Sequence, residues 1–302
     1  MTFAGVPELP GFRKITMADK PMIDKVFGDH PTEMSERTFG LIYVWRGYEG
    51  RSELSQLEGH LVFSWFRANL GRMILVPVGP YAVSALEKML EMGFFAGSEF
   101  RGVFGLLEPD VGALRTQGLA PVSVRDEWDY VYRVEDLAKL EGPGYHTQRK
   151  ELGKARSAFI PSYEPMTREH QRECLELQDT WCDMKHCNLD RLSSAEDLAL
   201  REGLEHMDEL GFFGGVALVD GRIQALTLGE RLNPNTAVVH FEKANPAMRG
   251  MYQFINKEFC VNALKGYEFV NREQDVGEPG LRRAKEGYHP HHFVEKHVLM
   301  VE

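Results

Sequence analysis

The segment GFFGGVALVDGRIQALTLGERLNPNTAVVHFEK, residues 211–243, decides the fold. Asp220-Gly221 is a strong two-residue hairpin turn, and it joins two strand-length runs, Phe213–Val219 and Arg222–Leu232. Thr236–Lys243 supplies a third strand, so the segment predicts an antiparallel meander. Downstream, Met251–Leu264 has helical spacing and Tyr267–Asn271 is strand-like. A strand, helix and strand in that order require a crossover and hence a parallel pair. Upstream, Phe159–Met166 reads as a strand, and Arg168–Met184 and Ala195–Leu210 read as helices. A short helix at Gly280–Gly287 and a strand at Phe293–Val301 close the pattern, which is α/β with a mixed sheet.

The first half repeats that order less clearly. A strand at Phe12–Thr16 leads to helical stretches at Ala18–Phe27 and Ser35–Trp45. Strands follow at His60–Phe66 and Arg72–Val78, separated by a turn over residues 68–71. Then come a helix at Ala82–Met92, a strand at Gly102–Leu107, a helix at Pro109–Gln117 and a closing strand at Tyr130–Val134. Both halves open with a similar phrase, Ile15-Thr16-Met17-Ala18-Asp19 and Met166-Thr167-Arg168-Glu169. The Gly142-Pro143-Gly144 break marks a linker, giving domains over 1–142 and 143–302. The repeated order resembles the GCN5-related N-acetyltransferases, which implies two tandem acetyltransferase-like domains.

Composition bounds the rest. A chain of 302 residues, 43% hydrophobic and 26% charged, folds rather than remaining disordered. No run reaches the ~18–20 uncharged apolar residues of a membrane span. The N-terminus lacks the basic region and apolar core of a secretory signal, so a soluble, cytoplasmic protein is expected. Cys174, Cys182, Cys187 and Cys260 are too few for a disulfide framework and predict reduced, mostly buried thiols. A net charge of −10 argues against indiscriminate nucleic-acid binding while allowing a local basic patch.

Ionisable residues gather at two predicted strand ends, His240-Phe241-Glu242-Lys243 and Asn271-Arg272-Glu273-Gln274-Asp275. Open α/β sheets leave their ligand crevice at such ends. Strict alternation would put His240 and Glu242 on one face of the strand and Lys243 on the other. Ala247-Met248-Arg249-Gly250-Met251-Tyr252 turns into a helix whose free N–H groups suit a phosphate or an oxyanion. There Arg249 would add a donor and Gly250 would admit a close approach. On the helix beginning near Gly280, Arg282 and Lys285 share a face, and a lysine so placed can stabilise an oxyanion. An ion network that merely holds the sheet is the competing reading. His289, His291, His292 and His297 lack a metal-ligand spacing, so no metal site is expected. Cys182 and His186 lack the orienting third group of a nucleophilic pair, which favours buried core and surface histidine.

Glu242-Lys243-Ala244, the run from Asn271 through Asp275, Gly277, Gly280, Leu281, Arg282 and Lys285, and Tyr288-x-Pro290 resemble the C-terminal domain of phosphatidylglycerol lysyltransferases. Gly280–Pro290 is similar to that family's Gly-Leu-x-x-Phe-Lys-x-x-Phe-x-Pro signature, with Ala284 and Tyr288 at the two Phe positions. The resemblance covers most of the chain, including 39–45 and 214–230, and implies kinship with Fem-type aminoacyltransferases. Those enzymes pass an amino acid from its tRNA ester to an amine or hydroxyl. Carried over, it names Lys285 as the lysine near the reacting carbonyl. Acetyltransferases of this fold usually carry a Gln/Arg-x-x-Gly-x-Gly/Ala loop for the coenzyme A pyrophosphate. This chain has Ala247 at the first position and Tyr252 at the last, two departures from that loop.

The sequence therefore predicts an acyltransferase, with aminoacyl-tRNA or acyl-CoA as donor substrate and a small-molecule, lipid or peptide acceptor. Lys285, Glu242, Glu273 and Arg282 are the expected catalytic set. His240, Lys243, Arg249, Gly250, Tyr252, Asn271, Arg272, Asp275 and Tyr288 are the expected substrate contacts. An acyl-CoA-dependent N-acyltransferase and a tandem domain that binds without turnover are the alternatives.

Overall fold

The computed structural model describes residues 2–47, 52–67, 69–187 and 191–301, so Ala68 of the predicted turn lies outside the described residues. The chain forms two compact units, Met1–Trp128 with Val294–Glu302, and Asp129–Phe293. Each is built on a seven-stranded mixed sheet.

Numbered along the chain, the first sheet contains β1 (Arg13–Lys14), β2 (Glu53–Leu57), β3 (His60–Arg67), β4 (Gly71–Val78), β5 (Gly102–Leu106), β6 (Val122–Ser123) and β14 (His297–Met300). Their order is β1-β2-β3-β4-β5-β14-β6. The β4–β5 pair is parallel, joined by the crossover helix α3 (Ala82–Glu91). Helices α1 (Lys20–Asp29), α2 (Phe39–Val44) and α4 (Glu108–Thr116) complete the unit.

The second sheet runs β13 (His292–Val294), β7 (Asp129–Arg133), β12 (Phe269–Asn271), β11 (Thr236–Ala244), β10 (Arg222–Arg231), β9 (Phe213–Val219), β8 (Ser162–Pro165). Its helices are α5 (Val134–Lys139), α6 (His146–Phe159), α7 (Gln171–Lys185), α8 (Arg191–Glu205), α9 (Met207–Leu210), α10 (Met251–Asn262) and α11 (Pro279–Glu286). The hairpin forms where its turn residues put it: Asp220 and Gly221 have φ of 50° and 74°, as a type I′ turn requires, and Arg222 pairs with Val219. β11 and β12 are parallel, with α10 as their crossover. Phe254, Ile255 and Phe259 of α10 are buried in one cluster with Tyr130, Tyr132 and Val239. At about 1.5–3 kcal/mol per large apolar side chain, this face anchors α10 to the sheet.

Several sequence boundaries move. The strand expected to close the first half is β7, and it pairs with β12 in the second sheet. The expected final strand divides, with β13 in the second sheet and β14 in the first. Phe159 ends α6, a helix the sequence hides because only Gln148, Leu152 and Ala155 form its buried stripe. The single helix expected over Ala195–Leu210 breaks at His206 into α8 and α9. The thiols also differ from expectation. Cys174 and Cys260 are free and buried, but Cys182 and Cys187 form a disulfide. His186 ends α7 in the left-handed conformation, at φ 57°, and turns the chain so that the two Cα atoms lie 4.9 Å apart. Among the described residues no helix is long and apolar enough to cross a membrane.

Candidate functional site

The two central strands of the second sheet part company. β12 pairs with β11 only from Thr236–Phe269 to Val238–Asn271, while β11 continues to Ala244. Beyond the last pair β11 runs on without β12 beside it, and open α/β sheets leave their ligand crevice at such ends. The register with β10 also shifts there: Leu228 faces Phe241 and Gly229 faces Val239, so His240 is the extra residue of a bulge. Strict alternation fails for that reason. His240 turns towards Phe212, with ring centroids 5.4 Å apart, whereas Glu242 meets Asn256 of α10. The two residues expected on one face therefore lie on different ones.

Two charge pairs bridge the crevice. Arg272 Nη2 donates to Glu242 Oε1 at 2.9 Å, and His240 Nδ1 lies 2.7 Å from Glu273 Oε1. His240 Nε2 lies 2.9 Å from Glu230 Oε1, so the imidazole sits between two carboxylates. Burial works against its charge, but the hydrogen bonds to Glu230 and Glu273 outweigh it and raise its pKa to about 9. The ring is an imidazolium at neutral pH, with both nitrogens donating.

Around the Glu242–Arg272 pair the polar atoms are not all matched. Arg272 Nη1, Asn256 Oδ1 and Thr227 Oγ1 are buried without a hydrogen-bond partner among the described residues. Thr227 lies directly across from Glu242 on β10, and Asn256 Nδ2 donates to Glu242 Oε2 at 3.3 Å. The Arg272 guanidinium is 5.7 Å from the Tyr132 ring and 5.1 Å from the Tyr288 ring. Burial raises the pKa of both phenols, so they stay neutral. Buried groups with unused hydrogen-bonding capacity are the ones a substrate can satisfy.

Lys285 and Arg282 both serve the loop that follows β12. Lys285 Nζ donates to the carbonyls of Arg272, Glu273 and Gln274 at 2.6, 3.0 and 2.5 Å, which uses all three ammonium protons. Burial, reinforced by Arg272 and opposed by Glu273, lowers the Lys285 pKa to about 8. The loop needs a clamp because Glu273 has φ 57°, a conformation side chains other than glycine rarely adopt. Asn271 Oδ1 accepts from the Glu273 N–H at 2.7 Å, and Asn271 Nδ2 donates to Asp129 at 3.0 Å. Arg282 forks onto Asp275 with two 2.8 Å bonds, and the Tyr130 hydroxyl donates to the same carboxylate at 2.6 Å. Burial raises the Asp275 pKa, but Arg282, Tyr130 and the Gly277 N–H more than offset it and hold it at about 2.

The remaining expected contacts stand elsewhere. Lys243 is buried on the α8 side, paired with Glu196 at 2.7 Å and 3.7 Å over the Trp181 ring. Trp181 Nε1 donates to Tyr252 at 2.9 Å, and burial pushes the Tyr252 phenol up to about 12. Arg249 is exposed and pairs with Glu151 of α6. Gly250, at φ 90°, lies against α6 so closely that a Cβ would sit 2.2 Å from the Glu151 carbonyl oxygen. The close approach that Gly250 permits is thus made by α6. With Ala247 and Tyr252 at the other two positions of the coenzyme A loop, the residues present lack that loop's features. The histidine tract is divided: His291 and His292 pack on Phe269, whereas His297 opens β14. Glu230, Thr227 and Asn256 were not singled out from sequence. Thr227 and Glu230 lie inside an apolar strand pattern, and Asn256 inside a helical one.

A family model for the C-terminal region of phosphatidylglycerol lysyltransferase matches residues 29–300. No curated protein matches the chain. Among solved structures, a conserved protein of unknown function from Bacteroides thetaiotaomicron is 29% identical with a TM-score of 0.86, over 96% of this chain and 99% of that one. The C-terminal domain of a putative lysylphosphatidylglycerol synthetase from Agrobacterium fabrum has a TM-score of 0.67 at 14% identity, covering 94% of this chain and 92% of that one. FemX is similar at a TM-score of 0.59 and 10% identity, over 96% of this chain and 97% of its own.

Proposed function

Because the chain belongs to the phosphatidylglycerol lysyltransferase C-terminal family, we propose that it transfers an aminoacyl group from aminoacyl-tRNA to an amine or hydroxyl acceptor. Family and fold support an acyltransferase of the lysyltransferase and Fem type. One observation favours this donor: the loop before α10 has Ala247 and Tyr252 where a coenzyme A loop has Gln/Arg and Gly/Ala, and the Cα face of its Gly250 packs on α6.

In this reading the donor ester lies in the crevice beyond Val238 and Asn271. Glu242 takes a proton from the acceptor as its nitrogen or oxygen attacks the ester carbonyl. The guanidinium of Arg272, 13% exposed, donates to the oxyanion, a contribution worth about 3 kcal/mol where such a donor is preorganised. The ester C–O bond then breaks, the ribose oxygen takes up the proton, and an amide or ester is left on the acceptor. Glu273, paired with the His240 imidazolium, carries the second bridging carboxylate, and Tyr288 and Tyr132 wall the Arg272 side. Lys285, Arg282, Asp275 and Asn271 act through the loop, fixing Arg272 and Glu273 in place. Arg249 and Gly250 stay outside the donor site.

The test is transfer of radiolabelled amino acids from a bulk charged tRNA pool to phosphatidylglycerol, peptide amines and small amines. Wild type should form a labelled product. Glu242→Gln should lower the rate about 100-fold, as loss of a general base does, with its unfolding midpoint close to wild type. Turnover of acetyl-CoA with no aminoacyl product would sink the proposal.

A further inference from the structure

The chain that leaves α7 is tied back to it. Cys182 stands in the last turn of α7, and its sulfur is bonded to that of Cys187, five residues on. Between them His186 holds the left-handed conformation at φ 57°, which residues other than glycine rarely keep unless their surroundings enforce it. The crosslink is such a constraint. A bridge over so short a loop restrains the unfolded chain less than a long-range one, so its effect is mostly local.

Only this pair is placed for thiol chemistry. Cys182 is half-buried and Cys187 buried, so the bridge is open to attack from the Cys182 side. Cys174 and Cys260 are free and buried, and burial pushes both thiols up to about 12, which keeps them protonated and inert.

What the bridge holds lies beside it. Gln178, fully buried one turn earlier, donates through Nε2 to Cys182 Sγ at 3.3 Å and to Asp197 of α8 at 3.1 Å. Trp181, the neighbour of Cys182, donates to the Tyr252 hydroxyl of α10 at 2.9 Å and lies 3.7 Å from the Lys243 ammonium. Lys243 pairs with Glu196 of α8 and follows Glu242 on β11. The last turn of α7 is thus the junction of α8, α10 and the crevice end of β11. Loosening that turn reaches Glu242 through Trp181 and Lys243.

We propose that Cys182–Cys187 is a reversible thiol–disulfide switch that fixes Trp181 against Lys243 and so regulates the crevice. Its coupling to transfer rests on the aminoacyl reading above. The co-reactant is a dithiol. Its thiolate attacks Cys182 Sγ, the bond between the two sulfurs breaks, and Cys187 leaves as a thiolate that takes up a proton. The second thiolate of the dithiol then attacks the mixed disulfide and releases Cys182, which is protonated in turn. Two electrons and two protons pass to the protein, and the dithiol departs as a cyclic disulfide. His186 is then free to leave the left-handed conformation, and the last turn of α7 loosens with Trp181.

The experiment takes the full chain through reduction by dithiothreitol and reoxidation by its oxidised form. Wild type is compared with Trp181→Phe and with the double variant Cys182→Ser, Cys187→Ser. Thiols titrated after denaturation should number two in the oxidised wild type and four in the reduced. Tryptophan emission of wild type should shift to the red on reduction and return on reoxidation. Trp181→Phe should show no shift, and the serine variant should stay at the reduced position throughout. Transfer should fall ~5-fold or more on reduction and recover on reoxidation, the size of an ordinary coupling between two sites. Four thiols that oxidised dithiothreitol does not pair, or a bond that yields only when the protein unfolds, overturns the switch. So does wild-type emission unchanged by reduction, or a shift that persists in Trp181→Phe. Thiol exchange and a Trp181 shift with no transfer in either state would fell the aminoacyl reading alone. Transfer at the same rate in both states would fell this inference alone.

Discussion

β4 and β11 occupy the same place in their two sheets, each antiparallel to one neighbour and parallel to the next, yet their free ends differ completely. Past its last parallel pair β4 reads Val76-Pro77-Val78, all buried. β11 reads Val239-His240-Phe241-Glu242-Lys243-Ala244, with three ionisable residues. The first unit keeps its charges sealed. Glu36 and Lys296 have no exposed side-chain surface, lie 2.6 Å apart, and are joined by Arg67, which also reaches Glu127. The second unit leaves Glu242, Arg272 and Glu273 12–18% exposed, although both units bury unmatched polar atoms, such as Arg37 Nη1 in the first and Arg272 Nη1 in the second. One architecture thus supports two uses of buried charge. In the first it is consumed in mutual neutralisation, and in the second it remains available at a crevice.

The sharpest way to break this contrast is Lys296→Met. A fully buried carboxylate that loses one of its two cations, keeping only Arg67, is costly, so unfolding in urea should reveal a loss of about 3 kcal/mol. Arg272→Met, whose partner Glu242 is partly solvated, should lose about 1–2 kcal/mol while abolishing transfer. Equal stability losses for the two variants would mean that both networks are structural.

A smaller effect tests the His240 bridge by pH. The folded-state pKa is raised from 6.5 to about 9, so the stabilisation is fully present below pH 6.5 and disappears as pH rises through 9. The stability difference between wild type and His240→Gln should be on the order of 2 kcal/mol at pH 6 and vanish above pH 9.5. A difference that stays constant across that range would show that His240 contributes packing rather than charge.

The sequence was informative where local chemistry fixes geometry. Asp220-Gly221 dictates its turn, the apolar runs around it dictate the meander, and the crossover through α10 dictates a parallel pair. The gathering of His240, Glu242, Arg272 and Glu273 was legible too, because parallel strands bring their C-terminal ends together. Three things were not. The bulge at His240 depends on pairing with β10, and nothing in the single strand announces which residue is extra. The use of Lys285 as a loop clamp depends on three carbonyls eleven to thirteen residues away, which no side-chain motif encodes. The placement of β7 and β14 is decided by partners far along the chain, whereas periodicity reports only local preference.

The smallest expected effect concerns the α10 N-terminus, and it is informative because it is small. Arg249 is exposed and committed to Glu151, and the glycine beside it packs its Cα face on α6. If the donor were held there by its phosphates, Arg249→Ala would raise the donor KM by an order of magnitude, as loss of a charged hydrogen bond does. With the donor in the crevice and its backbone elsewhere, donor KM and kcat should both stay within about twofold of wild type. Steady-state kinetics with charged tRNA separate the two. A tenfold rise in KM would return the helix N-terminus to the donor site, and with it the coenzyme A-like mode of binding that Ala247 and Tyr252 argue against.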